Sequence, residues 1–162
     1  ILEMHRNLVI ATTTFVMLLT ASLRADESEA REETFSARMS NVTLVGSFTV
    51  DGRTDGPPKA ERYEIKSVTK VGGNLWTFVT RVKYGNVDTR VPITVPLEWA
   101  GDTPMVSLTD ATLPGLGSAF SARVIFHGDR YAGTWQHGKV GGHMVGRIEK
   151  TKPAAAREKP AK

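Results

Sequence analysis

Phe126-His127-Gly128-Asp129-Arg130-Tyr131-Ala132-Gly133-Thr134-Trp135-Gln136-His137-Gly138-Lys139-Val140-Gly141-Gly142-His143-Met144-Val145-Gly146-Arg147-Ile148 is the stretch from which the rest of the chain can be read. Gly128-Asp129 suits a two-residue type II′ hairpin turn, whose first central position needs a positive φ that glycine adopts without a Cβ clash. Centring the turn there sets His127 opposite Arg130 and Phe126 opposite Tyr131, an aromatic cross-strand pair that stabilises a hairpin by up to about 1 kcal/mol. Alternation then puts Tyr131, Gly133, Trp135 and His137 on one face and Arg130, Ala132, Thr134 and Gln136 on the other, with the first as the packed face. Glycines from Gly138 to Gly142 predict a second, looser turn before a closing strand.

Working outward, the same period of two recurs. Val42, Leu44, Gly46, Phe48 and Val50 share a face, and Asp51 to Pro58 supplies turn residues that lack calcium-loop spacing. From Glu61, the residues Tyr63, Ile65 and Val71 are expected on one face, and Gly72-Gly73-Asn74 turns the chain. Trp76, Phe78, Val82 and Tyr84 follow, then Val91, Ile93, Val95, Leu97 and Trp99. Pro92 and Pro96 lie on the outward phase of that strand, so it is an edge or is locally unpaired. Phe120, Ala122, Val124 and Phe126 lead into the opening hairpin. Leu113 to Ser118 reads as an apolar loop, either a lid over a cavity or a plug for one end of the core.

The strands are expected at 42–50, 61–71, 75–84, 89–99, 105–109, 119–127, 130–137 and 142–149. Short connections make this an all-β, antiparallel up-and-down meander of about eight strands, closed into a small barrel, with a two-sheet β-sandwich as the alternative. A barrel of that size is filled by side chains or holds one small ligand.

The ends read differently. Met4 begins a segment with His5 and Arg6 ahead of an uncharged run from Leu8 to Leu23, shorter than a spanning helix needs and interrupted by Thr12, Thr13, Thr14 and Thr20. Residues 1–25 are therefore expected to be a signal peptide cut after Ala25 or Ala21, the alternative being an uncleaved anchor. The product would be exported, periplasmic or secreted, without a stable membrane anchor. Residues 26–40 form an acidic leader, read as solvated and able to form a short helix. Residues 41–150 are the β domain, and 151–162 a basic, proline-broken tail expected to be disordered. With no cysteine there is neither a disulfide nor a cysteine after the signal for lipoprotein-type anchoring. The formal net charge of +4 is partly held in the tails and too weak to argue for nucleic acid.

Gly133-Thr134-Trp135 and Arg147, with Gly46-Ser47-Phe48 as a weaker copy, resemble the calycin group of lipocalin-like and avidin-like exported barrels. There a Gly-x-Trp packs beside an arginine from the closing strand, although in that group the motif lies on the first strand and here on the penultimate one. Residues 120–150 are also similar to exported bacterial proteins ending in Tyr-Ala-Gly-Thr-Trp and Gly-Gly-His, a likeness that implies no activity. The calycin resemblance implies a ligand-filled interior.

Chemistry is harder to find. His127 precedes the first turn and His137 ends the strand that leaves it, more than roughly 20 Å away at about 3.3 Å per residue, so only His137 and His143 are expected to meet, and a pair makes a poor metal site. No nucleophile elbow or phosphate loop is present. The candidate acids Glu64, Glu98 and Asp110 mostly fall on the outward phase, against a glycosidase-like carboxylate pair. The expectation is a non-enzymatic module without cofactor or metal. In it Trp76, Phe78, Tyr84, Trp99, Tyr131 and Trp135 line an apolar interior or its mouth, and Arg147 orients a polar group of a small apolar ligand. The alternative is a solidly packed envelope or interaction protein acting through its surface.

Overall fold

The computed structural model describes residues 26–53, 56–84, 86–114 and 117–151, without the side chains at 82–84 and 87. The expected signal segment and nearly all of the basic tail lie outside the described residues. The chain divides into two units, 1–35 and 36–162. What is described of the first is helical, the beginning of α1 (residues 26–39), so the acidic leader is an ordered helix. No helix among the described residues is long and apolar enough to cross a membrane.

The second unit is a closed barrel of eight strands in sequence order: β1 (Val42–Phe48), β2 (Lys59–Gly72), β3 (Leu75–Tyr84), β4 (Val87–Ala100), β5 (Thr103–Leu113), β6 (Gly117–His127), β7 (Arg130–His137) and β8 (Val140–Lys150). Every neighbouring pair is antiparallel, and β1 closes the ring on β8. The barrel expectation holds and the sandwich alternative does not. The opening hairpin forms as the residues require, with His127 opposite Arg130, Phe126 opposite Tyr131 and Gly128 at φ 52°. The second turn is tighter than expected. His137 pairs with Val140 across Gly138 and Lys139, and β8 starts before the glycine pair.

Register shifts in the β2–β3 and β5–β6 pairings break the simple alternation. A bulge between Ile65 and Ser67 shifts the inward phase of β2, so Val68 is buried, whereas Val71 is 60% exposed rather than facing inward with Ile65. The carbonyl of Lys66, at that bulge, accepts the backbone N–H of Asn41. A second irregularity, between Leu108 and Ala111, includes Asp110 at φ 45° and prolongs β5 to Leu113, well past the expected end at Thr109.

One end of the barrel is packed shut. Asn41 stops α1 in the left-handed region (φ 55°), where asparagine is among the better-tolerated residues. Ser36 Oγ donates to the Val68 carbonyl and Ser40 Oγ accepts the Val68 N–H at 3.1 Å, satisfying the backbone beside the bulge. Arg38 donates to the Gly128 carbonyl and faces Asp129. Met39, Val42, Val68, Trp76 and Leu97 fill this end, each no more than 2% exposed.

The wall is also incomplete along part of its height. β4 pairs with β5 only from Leu97 to Ala100, while its first ten residues are laddered to β3 alone. Leu97 N–H donates to the Asn74 carbonyl on the β3 side. Peptide groups alternate sides along a strand, so the groups of Pro92, Thr94 and Pro96 point toward β5. Two of those three residues have no N–H to give. The prolines therefore mark local unpairing inside a closed barrel, one of the two readings their positions allowed.

Candidate functional site

The barrel interior is hollow. A cavity of about 300 Å³ is lined by side chains from all eight strands. Its wall is mostly aliphatic and aromatic, with Leu44, Ile65, Phe78, Val95, Val124 and Met144 among the contributors. An apolar cavity of roughly 150 Å³ is enough to take up a benzene ring, so this one offers room for about a two-ring or short-chain molecule.

Into this apolar space projects one carboxyl group. Glu61 lies near the start of β2, in phase with Tyr63 and Ile65, and is 4% exposed. Its Oε1 accepts the Tyr131 hydroxyl at 2.8 Å and its Oε2 accepts the Tyr63 hydroxyl at 2.8 Å. Burial pushes the Glu61 carboxyl above its ordinary value, and the two phenol hydrogen bonds work against that by favouring the charged form. Burial also raises the Tyr131 phenol, helped by the adjacent carboxylate, which favours the hydroxyl as the donor of the pair.

The reach from Tyr131 to Glu61 depends on two glycines. Tyr131 is in register with Gly146, Gly146 with Gly46, and Gly46 with Glu61, a row across β7, β8, β1 and β2. Three strand spacings span roughly 14 Å along the wall. The phenol covers much of it by lying flat on the glycines. A Cβ on Gly146 would stand 2.5 Å from Tyr131 Cε1 and 2.6 Å from its Cζ, and one on Gly46 would collide with the phenol oxygen.

At the other end, Trp135 meets Phe48 edge to face with centroids 5.6 Å apart, and its Nε1 donates to the Thr49 carbonyl at 3.1 Å. His137 stacks on Phe120 at 4.1 Å, nearly parallel. Leu113 lines the cavity beside them, so the expected apolar loop contributes to its rim, whereas Leu116 lies outside the described residues.

The residues expected to line the interior divide. Phe78, Tyr131 and Trp135 do line the cavity. Trp76 is 2% exposed but belongs to the packed end, and Trp99 is half-buried near the end of β4; neither borders the cavity. The side chain of Tyr84 lies outside the described residues. Arg147 is exposed on the outer wall, because the inward phase of β8 is Gly142, Met144, Gly146 and Ile148. The expected pairing with Trp135 is not made, since Trp135 faces inward opposite Gly142. His137 and His143 do not meet either. His143 pairs with Thr134 on the outward phase, while His137 lines the rim. Among the described residues no group of three metal-binding side chains occurs.

Glu64, Glu98 and Asp110 are not among the residues lining the cavity. Glu64 engages Arg62 and Arg81, and Glu98 accepts the Asn74 amide. The acid that does line the cavity, Glu61, is not among the sequence candidates. Its signal was its phase, a glutamate two residues before Tyr63 and four before Ile65, where alternation calls for an apolar side chain. No family model, curated protein or solved structure matches the chain.

Proposed function

We propose that this chain is an exported, non-enzymatic binding module whose barrel takes a small apolar ligand into its interior. The observation that carries the reading is the apolar cavity of about 300 Å³. A side-chain-filled barrel of eight strands has no need of such space, and leaving it empty forfeits packing contacts that a ligand would restore. The unladdered stretch between β4 and β5 offers a way in without unfolding, because among the described residues no strand pairing crosses it. Export rests on the sequence of residues 4–25 alone.

The test is saturable binding of an apolar fluorophore such as N-phenyl-1-naphthylamine. Ala122 lines the cavity from β6, and Ala122→Trp should fill much of it and abolish binding while the barrel's circular dichroism persists. A ligand held at a hundred times its Kd should stabilise the fold by about 2.7 kcal/mol. Absence of saturable binding, or binding indifferent to Ala122→Trp, would overturn the reading.

A second reading, action through the outer surface, is favoured by one feature. Ile125, Ala132 and Val145 are in register across β6, β7 and β8 on the outer face, with Ile125 and Val145 exposed and Arg130 and Arg147 beside them. Substituting Ile125 and Val145 by serine separates the two readings, since it would leave fluorophore binding intact.

A further inference from the structure

Resting on the interior-binding reading, we infer that the cavity selects ligands joining an apolar body to a cationic, hydrogen-bond-donating head, a lipophilic amine, with Glu61 as the counter-charge. Three observations converge. First, Glu61 is the carboxyl among the described lining residues, none of which is a lysine or arginine. An anionic head would meet a like charge in a water-poor space, which is costly at low effective dielectric.

Second, the two phenols leave the carboxylate with acceptor capacity to spare. An ionised carboxyl offers about four lone-pair sites. Tyr131 takes one on Oε1 and Tyr63 one on Oε2. Each oxygen thus retains a position for a further donor, and an ammonium brings three. The phenols hold the carboxyl in place before the ligand arrives, so the pair forms without ordering a mobile side chain.

Third, the rest of the wall suits the remainder of such a molecule. Ile65, Phe78, Val95, Leu108 and Met144 present only hydrocarbon, ring or thioether surface to the cavity. Aromatic faces around the cavity also attract a cation.

Calorimetric titration of the full chain at neutral pH with three probes sharing one two-ring body tests this: 1-naphthylmethylamine, 1-naphthylmethanol and 1-naphthoate. The amine is expected to bind tightest, at least about tenfold above the alcohol, as a desolvated charge pair requires, with naphthoate weakest. Glu61→Gln keeps the shape, and should lower the amine's affinity by about tenfold or more, to near that of the alcohol, while the alcohol, which loses only a neutral donor's partner, falls far less. The native protein's ranking needs no variant, so a misfolded substitution cannot rescue the idea. Equal binding of amine and alcohol, tightest binding of naphthoate, or an amine affinity untouched by Glu61→Gln would each overturn the charge assignment and leave the cavity reading standing. Failure of all three probes together with the neutral fluorophore would sink both.

Discussion

Replacing Gly146 by alanine is the sharpest perturbation of the arrangement that holds Glu61. The new Cβ would lie 2.5 Å from Tyr131 Cε1, 2.6 Å from its Cζ and 2.5 Å from the Val45 carbonyl oxygen. Neither neighbour can move freely. The Val45 carbonyl is part of the β1–β8 ladder, and the Tyr131 ring is 2% exposed. Forcing a methyl into a packed wall costs about 1–3 kcal/mol. If the ring swings away, its hydroxyl leaves the Glu61 carboxyl, and a hydrogen bond to a charged group contributes about 1.5–3 kcal/mol. The two contributions together give an expected loss of about 2.5–6 kcal/mol, a large part of a domain's typical 5–15 kcal/mol. Urea unfolding, read at constant m, measures it. A cycle with Tyr131→Phe separates the parts: the ring clash persists in that background, but the hydrogen-bond contribution is already gone, so the penalty should fall by about 1.5–3 kcal/mol. A loss under about 1 kcal/mol for the single substitution would refute the idea that the glycines exist to seat the phenol.

Other expectations follow from the same geometry. Because the folded Glu61 carboxyl titrates above its ordinary value of 4.5, the native state holds an extra proton between that value and the raised one. Stability attributable to this group should rise as pH falls through the window and sit at its minimum above it; a native-minus-Glu61→Gln stability difference flat with pH would contradict this. Glu61→Leu strips the buried Tyr131 hydroxyl of its acceptor and should cost about 1–3 kcal/mol, whereas Gln, which can both accept and donate, should cost clearly less in the same denaturation assay. Arg147→Ala should leave fluorophore affinity unchanged and alter stability by less than about 0.5 kcal/mol, since the side chain is exposed on the outer wall. With Trp76 and Trp99 replaced by phenylalanine, the emission of Trp135 at the cavity rim should respond to the fluorophore; an unresponsive Trp135 would place the ligand elsewhere.

Most of the fold was legible in the residues because its determinants are short-range. Alternation of apolar and polar side chains, a glycine-first dipeptide at 128–129 and glycine or proline clusters between runs each act over a few residues, and together they specify hairpins in sequence order. The misplacements share one cause. A bulge inserts one residue and reverses the phase beyond it, so Val68 rather than Val71 faces inward, and β5 continues past Thr109 after a residue with positive φ. Alternation counted along a line cannot see where a partner strand forces that slip.

The cavity and its buried carboxyl belong to a different range of interaction. Glu61 and Tyr131 are 70 residues apart, and nothing local to either predicts the other. Their meeting requires the ring to close, since only the β1–β8 seam aligns Gly46 with Gly146 and clears a path for the phenol. Arg147 shows the converse, a plausible partner in the sequence that the parity of β8 turns to solvent. The amino-acid sequence by itself determined that this is an antiparallel meander, where its hairpins turn and which faces are apolar, because those follow from backbone geometry and hydration residue by residue. Closure of the barrel decided that the interior stays hollow and that a buried carboxyl meets two phenols inside it, because these depend on curvature, register and side-chain volume summed over all eight strands.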